Sequence, residues 1–296
     1  MITETPVIDK IILGDNQFWG VNHLSQDKGK ETEKKFRSIE EIRSLLHTAL
    51  DNGVSGVMFS THPMIYSITD MMRADARLKE SMHIYVNVPY IVKYVRMASE
   101  MGMLKSVQTV FGGQGILGSA AFLASSAYGA LTNDYLSLTN RLIDIEMNPF
   151  HDLKVKAIFL HNALTDLAIG YGMSDVLRSF YDYVGNTYHA IPAFGTLNFP
   201  ALDELLAQAN IGPTVIMTAV NKNGFLMNPS RQACEKSIAT SKNVVLAMAT
   251  LASGSLKPEE AYAYLGSLSR VDHVVVGVST KEHAEQSFST VRKYLV

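Results

Sequence analysis

Short β-branched apolar runs alternate along this chain with longer stretches in which apolar residues recur every three or four positions. The last full unit shows the pattern best. Val274 to Val276 reads as a short buried strand, and Gly277 ends it. Ser279 then precedes Glu282 by the capping-box spacing, and Ala284, Phe288, Val291 and Leu295 share one face of the helix that follows. Seven earlier runs read as strands: Lys10-Ile-Ile-Leu-Gly, then 54–60, 84–88, 155–160, 190–194, 214–220 and 244–248. Helical patterns lie between them. A capping box at Ser38-Ile-Glu-Glu opens one with Ile42, Leu45, Leu46 and Ala49 inward, and Asn52-Gly53 stops it. Others run over 65–79, 91–101, 175–183, 201–208, 230–241 and 258–268.

Strand followed by helix, eight times over, implies a parallel sheet covered on both faces. Eight such units in 296 residues point to a single α/β domain, a (β/α)8 TIM barrel spanning 1–296. No G-x-G-x-x-G follows the first strand, which argues against an open dinucleotide-binding sheet. One connection is too long for a standard unit. The stretch 107–153 begins with a glycine-rich loop at Phe111, passes through the apolar Ala120–Ala124, and reads as helix from Leu131 to Met147. This insertion is a candidate lid, barrel cover or homo-oligomer contact.

Composition narrows the partners. A net charge of −2 without a basic block leaves nothing to follow a phosphate backbone, so nucleic acid is not an expected partner. No apolar run is long enough for a bilayer, and no leader-like segment precedes the first strand. One cysteine, Cys234, excludes a disulfide framework and suits the cytoplasm. The expected partner is a small-molecule substrate.

In such a barrel the chemistry gathers where strands end and helices have yet to begin. His161, directly after the fourth apolar run, can polarise a bound carbonyl; the bland alternative is a histidine bonded to its own loop. His62 follows the second strand, with Pro63 behind it. Tyr66 and Tyr90 are candidate weak acids, in a chain where 13 tyrosines make packing the ordinary role. Asp15 is the one carboxylate at a strand end, a general base or else a turn-forming residue. At the eighth exit, Ser279, Thr280 and Lys281 surround a helix N-terminus, a candidate phosphate seat. Two other chemistries compete. Lys222 ends the sixth strand, where a Schiff-base lyase or aldolase would carry its amine. Asp15, His62 and His161 could converge on a metal for hydrolysis or isomerisation, although no His-x-His pair supports a metal site.

Several segments resemble the aldo-keto reductases: Gly14 near the start, Ala49-Leu-Asp-Asn-Gly-Val, Ala157-Ile-Phe-Leu-His, Thr196-Leu-Asn-Phe, and Gly277-Val-Ser-Thr-Lys-Glu-His-Ala-Glu. The resemblance runs over essentially the whole chain. It implies NAD(P)-dependent reduction of a small carbonyl compound, with His161 orienting the carbonyl, Asn198 holding the nicotinamide amide, and Ser279, Thr280 and Lys281 at the adenosine phosphate. The departures are specific. Ser60 or Thr61 replaces the strand-two aspartate, Tyr66 is one residue late, and Pro89-Tyr90 stands where the lysine would be, with Lys93 a turn further on. Leu197 stands for the serine beside Asn198, and Thr280 for a frequent arginine.

Overall fold

The computed structural model describes residues 4–19, 38–90, 93, 99, 135–278 and 280–295. Eight strands form its centre: β1 (Ile11–Leu13), β2 (Gly56–Ser60), β3 (His83–Val88), β4 (Val155–Leu160), β5 (Ile191–Thr196), β6 (Val215–Ala219), β7 (Val244–Met248) and β8 (His273–Val276). Each pairs in parallel with the next, and β8 returns to β1 through Ile11↔Val274, Ile12↔Val275 and Leu13↔Val276. The barrel is therefore closed.

Strand alternation divides the apolar residues between two cores. Ile12, Met58, Tyr85, Phe159, Met217 and Leu246 fill the barrel, while Leu13, Val57, Val86, Ile158 and Phe194 face outward under the helices. The outer layer comprises α1 (Ile39–Asp51), α2 (Ile65–Ala74), α3 (Ala76–Ser81), α4 (Tyr135–Met147), α5 (Asn162–Tyr171), α6 (Ser174–Tyr188), α7 (Phe199–Gln208), α8 (Arg231–Thr240), α9 (Pro258–Gly266) and α10 (Lys281–Leu295). In α1 the buried residues are Ile42, Leu45, Leu46, Thr48 and Ala49, the stripe its sequence period requires. Gly53, at φ 65°, ends that helix in the left-handed conformation a glycine adopts without strain.

The N-terminal end of the barrel is closed by polar groups. The Asp9 carboxylate accepts hydrogen bonds from the Tyr85 hydroxyl (2.5 Å), Ser55 Oγ (3.0 Å) and Lys156 Nζ (3.3 Å), and lies 3.1 Å from His83 Nδ1. The Asp9 backbone N–H donates to the same tyrosine oxygen at 2.9 Å. Burial alone would raise the Asp9 pKa, but the hydrogen bonds from Tyr85 and His83 and the charges of His83 and Lys156 lower it below the ordinary aspartate value.

Local departures from the sequence reading have local causes. The helix expected over 65–79 is two helices. Asp75 breaks it in an extended conformation (φ −104°, ψ 103°) and caps α3 by accepting the Leu78 N–H. Ser38 starts α1, yet its side chain makes no capping bond, so the capping box there is sequence without the contact. Helix α5 was not expected from the pattern: its hydrophobic residues do not segregate, and Leu167 and Tyr171 are exposed. Of the insertion, 107–134 lies outside the described residues, as do most of 91–101 and the charged loop 27–35. Its remainder includes α4, which lies against β3 and α6 as part of the barrel's own helical layer. Ile143 and Met147 are buried, and Asp144 Oδ1 accepts from the Tyr183 and Tyr188 hydroxyls at 2.6 Å each.

Candidate active site

The parallel strand exits supply the candidate groups, all at the C-terminal end of the barrel. After β1, Asp15 is buried and its Oδ2 accepts the Ser60 backbone N–H at 2.6 Å, tying the first exit to the second. After β2, the chain turns through His62, whose Nδ1 accepts the Met64 N–H at 3.3 Å. The His62 ring meets the Tyr90 ring edge-on, with centroids 5.7 Å apart. Tyr90 follows β3 and is partly buried. Burial raises its pKa first, and the charge of Asp15 raises it further, so the phenol keeps its proton across neutral pH.

His161 follows β4. Its backbone N–H donates to Val88 O at 2.7 Å, which holds the fourth exit against the third. Its Nδ1 accepts the Ala163 N–H at 3.1 Å and so caps α5. Burial lowers the imidazole pKa. A neutral ring whose Nδ1 accepts carries its proton on Nε2, and that N–H is a donor toward a ligand oxygen. Asp15, His62, Tyr90 and His161 thus occupy four successive exits, linked by the contacts above. Tyr66 is different. It is half exposed on α2, and its hydroxyl meets Asn148 Nδ2 at 3.5 Å.

Asn198 caps α7 through Oδ1, which accepts the Ala201 N–H at 3.3 Å. At the eighth exit Ser279 lies outside the described residues. Thr280 Oγ1 accepts the His283 N–H at 3.0 Å, so the cap of α10 falls one residue later than the Ser279–Glu282 spacing indicated. Lys281 is the exposed first residue of that helix. Gln17 reaches over the same region, donating from Nε2 to Gly14 O at 2.5 Å with its Oε1 beside Gly277.

Two competing chemistries lose their residues. The Lys222 ammonium pairs with Glu260 Oε1 at 2.6 Å, and both side chains are about half exposed (50% and 45%). A solvated, paired amine lacks the desolvation that makes a Schiff-base lysine nucleophilic, so the lyase reading is not supported. Among the described residues no three His, Cys, Asp or Glu side chains come together as metal ligands, and Asp15, His62 and His161 each hold a neighbouring backbone N–H instead. Asn221, just past the end of β6, is fully buried and braces its own loop through Phe225, donating and accepting at 2.8 Å each.

Two carboxylates that sequence reasoning passed over support the exits from outside. Glu146, on α4, has a fully buried side chain that accepts the Tyr90 N–H at 3.2 Å and Lys93 Nζ at 3.1 Å. Asp166, on α5, accepts the Thr196 hydroxyl (2.5 Å) and the Leu197 N–H (3.1 Å) at the β5 exit. Neither sits at a strand end, and a lone acidic residue within a helical stretch carries no local signal of burial. A partial signal existed for Glu146, in its place on the otherwise apolar face with Ile143 and Met147.

No protein-family model matches the chain, and no curated protein matches it. Solved structures do match, as folds. The crystal structure of a Pseudomonas aeruginosa protein described as an aldo-keto reductase aligns over 98% of this chain and 92% of its own, with a TM-score of 0.61 at 12% identity. An aldo/keto reductase of Brucella melitensis covers 100% and 95%, with a TM-score of 0.56 at 10% identity. An aldo-keto reductase from a deep-sea metagenome library of the Medee basin covers 97% and 92%, with a TM-score of 0.52 at 12% identity. The resemblance seen in the sequence therefore extends to the whole barrel, and the chain has the fold of these reductases.

Proposed function

We propose that this barrel is an oxidoreductase of the aldo-keto reductase type, reducing a small carbonyl compound with NAD(P)H. The observation that carries the reading is the pair of donors at adjacent exits. His161 is held neutral with its Nε2–H available, and Tyr90 is held protonated beside His62. Together they can hydrogen-bond a carbonyl oxygen from two sides and stabilise charge as it develops there. Tyr90 then passes its phenolic proton to the alkoxide, a much stronger base than phenolate, and is reprotonated from solvent. Asp15, fixed by Ser60, makes the Tyr90 phenolate unfavourable and so favours the protonated donor at rest. In this role Tyr90 is preferred to Tyr66, whose hydroxyl faces Asn148.

The cofactor's requirements fit the groups present in kind. The 15-residue helix α10 presents its N-terminus with Lys281 at the first position, suited to a phosphate. The Asn198 amide has only its Oδ1 engaged among the described residues, which leaves a donor for a carboxamide. The reduced nicotinamide, when bound, supplies the hydride. NADPH and NADH titrated against the fluorescence of Trp19, followed by assay with a panel of small aldehydes and ketones, test the reading. Tyr90→Phe is expected to lower kcat by about 10²- to 10⁴-fold, the usual span for loss of a general acid. Absence of saturable nicotinamide binding, or full activity in Tyr90→Phe, would refute it.

A further inference from the structure

Glu146 is the one described acidic residue whose side chain is wholly removed from solvent in an ion pair (0% exposed), and nothing in the proton transfer requires it. Its surroundings say what it does. One oxygen accepts Lys93 Nζ at 3.1 Å, and the other accepts the backbone N–H of Tyr90 at 3.2 Å. The Tyr90 carbonyl in turn accepts the Lys93 N–H at 3.0 Å. Tyr90 and Lys93 are therefore joined to each other, and each is held from α4 by the same carboxylate. A buried carboxylate is costly unless it is paired and hydrogen-bonded, and removing one partner of such a pair leaves an uncompensated charge. Burying an acid in this place is expensive for a merely structural link that an apolar side chain could provide.

From this we propose that Glu146 is a positioning residue for Tyr90. It holds the backbone of the β3 exit against α4, so that the phenol stays at the His62 ring and near Asp15. The inference rests on the reading of Tyr90 as the acid, but its physical content, one fixed orientation of Tyr90, does not depend on any assay of reduction. It also gives the described part of the long β3–β4 connection a task. Helix α4 is the element that reaches the mouth from outside and fixes a candidate proton donor.

The test uses the full chain carrying 3-fluorotyrosine at position 90, read by ¹⁹F NMR, alongside kcat, KM, NADPH affinity and thermal midpoint. Wild type is expected to give one sharp resonance. Glu146→Ala should split or broaden it and lower kcat by about tenfold to a hundredfold, since displacement by about 1 Å can cost that much, with KM and NADPH affinity within twofold. Glu146→Gln keeps an acceptor for the Tyr90 N–H and should restore the single resonance and most of kcat. Should Glu146→Ala fail to fold, the double variant Lys93→Met with Glu146→Leu removes both charges of the pair and carries the same expectation. A wild-type-like resonance in the variants lacking the acceptor overturns the proposal. So does a parallel loss of kcat, NADPH affinity and thermal midpoint in Glu146→Ala and Glu146→Gln alike, which would mark a merely structural role. A resonance that responds as expected in a protein that reduces no carbonyl would sink the reductase reading and leave the positioning role standing.

Discussion

The polar closure at the N-terminal end of the barrel gives the sharpest stability test, and Asp9 is the residue to perturb. Tyr85 is fully buried, and its hydroxyl donates to Asp9 Oδ2 at 2.5 Å. In Asp9→Ala that donor has no replacement inside the barrel, which costs about 1–3 kcal/mol for an unsatisfied buried group. The Ser55, His83 and Lys156 bonds are lost as well, but these groups are partly exposed and regain water, so together they add only about 1 kcal/mol. The expected total is about 2–4 kcal/mol, or a fall of roughly 3–8 °C in Tm for a domain somewhat larger than 150–250 residues. Asp9→Asn retains an acceptor for Tyr85 and should lose about 1 kcal/mol. Tyr85→Phe combined with Asp9→Ala should be less than additive by about 1 kcal/mol or more, because the two share one hydrogen bond. The sign of the pH dependence follows from the lowered Asp9 pKa. The carboxylate's contribution is complete above the unfolded aspartate value of 3.8 and is lost as pH falls through the lower folded value. The gap between wild type and Asp9→Asn, measured by urea unfolding, should therefore narrow as pH falls below about 4. Because Asp9 closes the end of the barrel opposite the strand exits, kcat/KM should change less than twofold. A Tm within 1 °C of wild type in Asp9→Ala, or strict additivity with Tyr85→Phe, would refute the account.

Other outcomes follow from the same geometry. Burial places the His161 pKa below 6.5 and, with Asp15, the Tyr90 pKa above 10.0, so carbonyl reduction should be flat between these values; an acid limb centred near 7 that vanishes in His161→Gln would contradict the assignment. Asp75→Ala removes the α3 cap and the partners of Arg43 and His47, and should cost about 1–3 kcal/mol by chemical denaturation. Burial opposes the shift at Asp75, but hydrogen bonds from His47, Leu78 and Arg43 hold its pKa at about 2, so this stabilisation persists above 3.8 and is lost as pH falls toward 2. Lys222→Met should leave reduction within twofold of wild type, and borohydride should trap no adduct at this exposed amine; a covalent adduct seen by mass spectrometry would revive the lyase reading. Gly14→Ala brings a Cβ to 2.9 Å from Val275 Cγ1 inside the barrel and should lower Tm by several degrees, in line with about 1–3 kcal/mol of overpacking.

The barrel was legible because short continuous apolar runs and a helical period of three to four are local signals, and eight strand runs such as 155–160 and 244–248 needed no long-range information. Asp75 was harder to read. A polar residue inside a helical stretch either faces solvent or breaks the helix, and only the bonds to Arg43 and His47 of α1 determine which. At the mouth, the fold rule located the strand ends, so Asp15, His62, Tyr90 and His161 could be named from sequence. Their protonation could not, because it depends on burial and on a neighbour 75 residues away for Tyr90. The tasks of Glu146 and Asp166 were hidden for a related reason, although the apolar face around Glu146 hinted at its burial. Both residues act from the helical layer on strand exits that precede or follow them by many residues, and no spacing encodes that approach. Lys222 shows the opposite error, a strand-end position whose side chain turns outward to Glu260.

The seam between β1 and β8 sets the order in which this chain can acquire its structure. The bonds Gly14 N–H to Val276 O and Val274 N–H to Lys10 O, both 2.9 Å, join segments separated by nearly the whole polypeptide. During synthesis the first strand must wait, one edge bare, for its last neighbour to leave the ribosome, an interval on the order of ten seconds or more at ordinary elongation rates. For that time the nascent chain carries an open template for pairing with any other strand. Slowing elongation before the β8 codons should therefore favour aggregation over soluble yield, even where the finished molecule is stable.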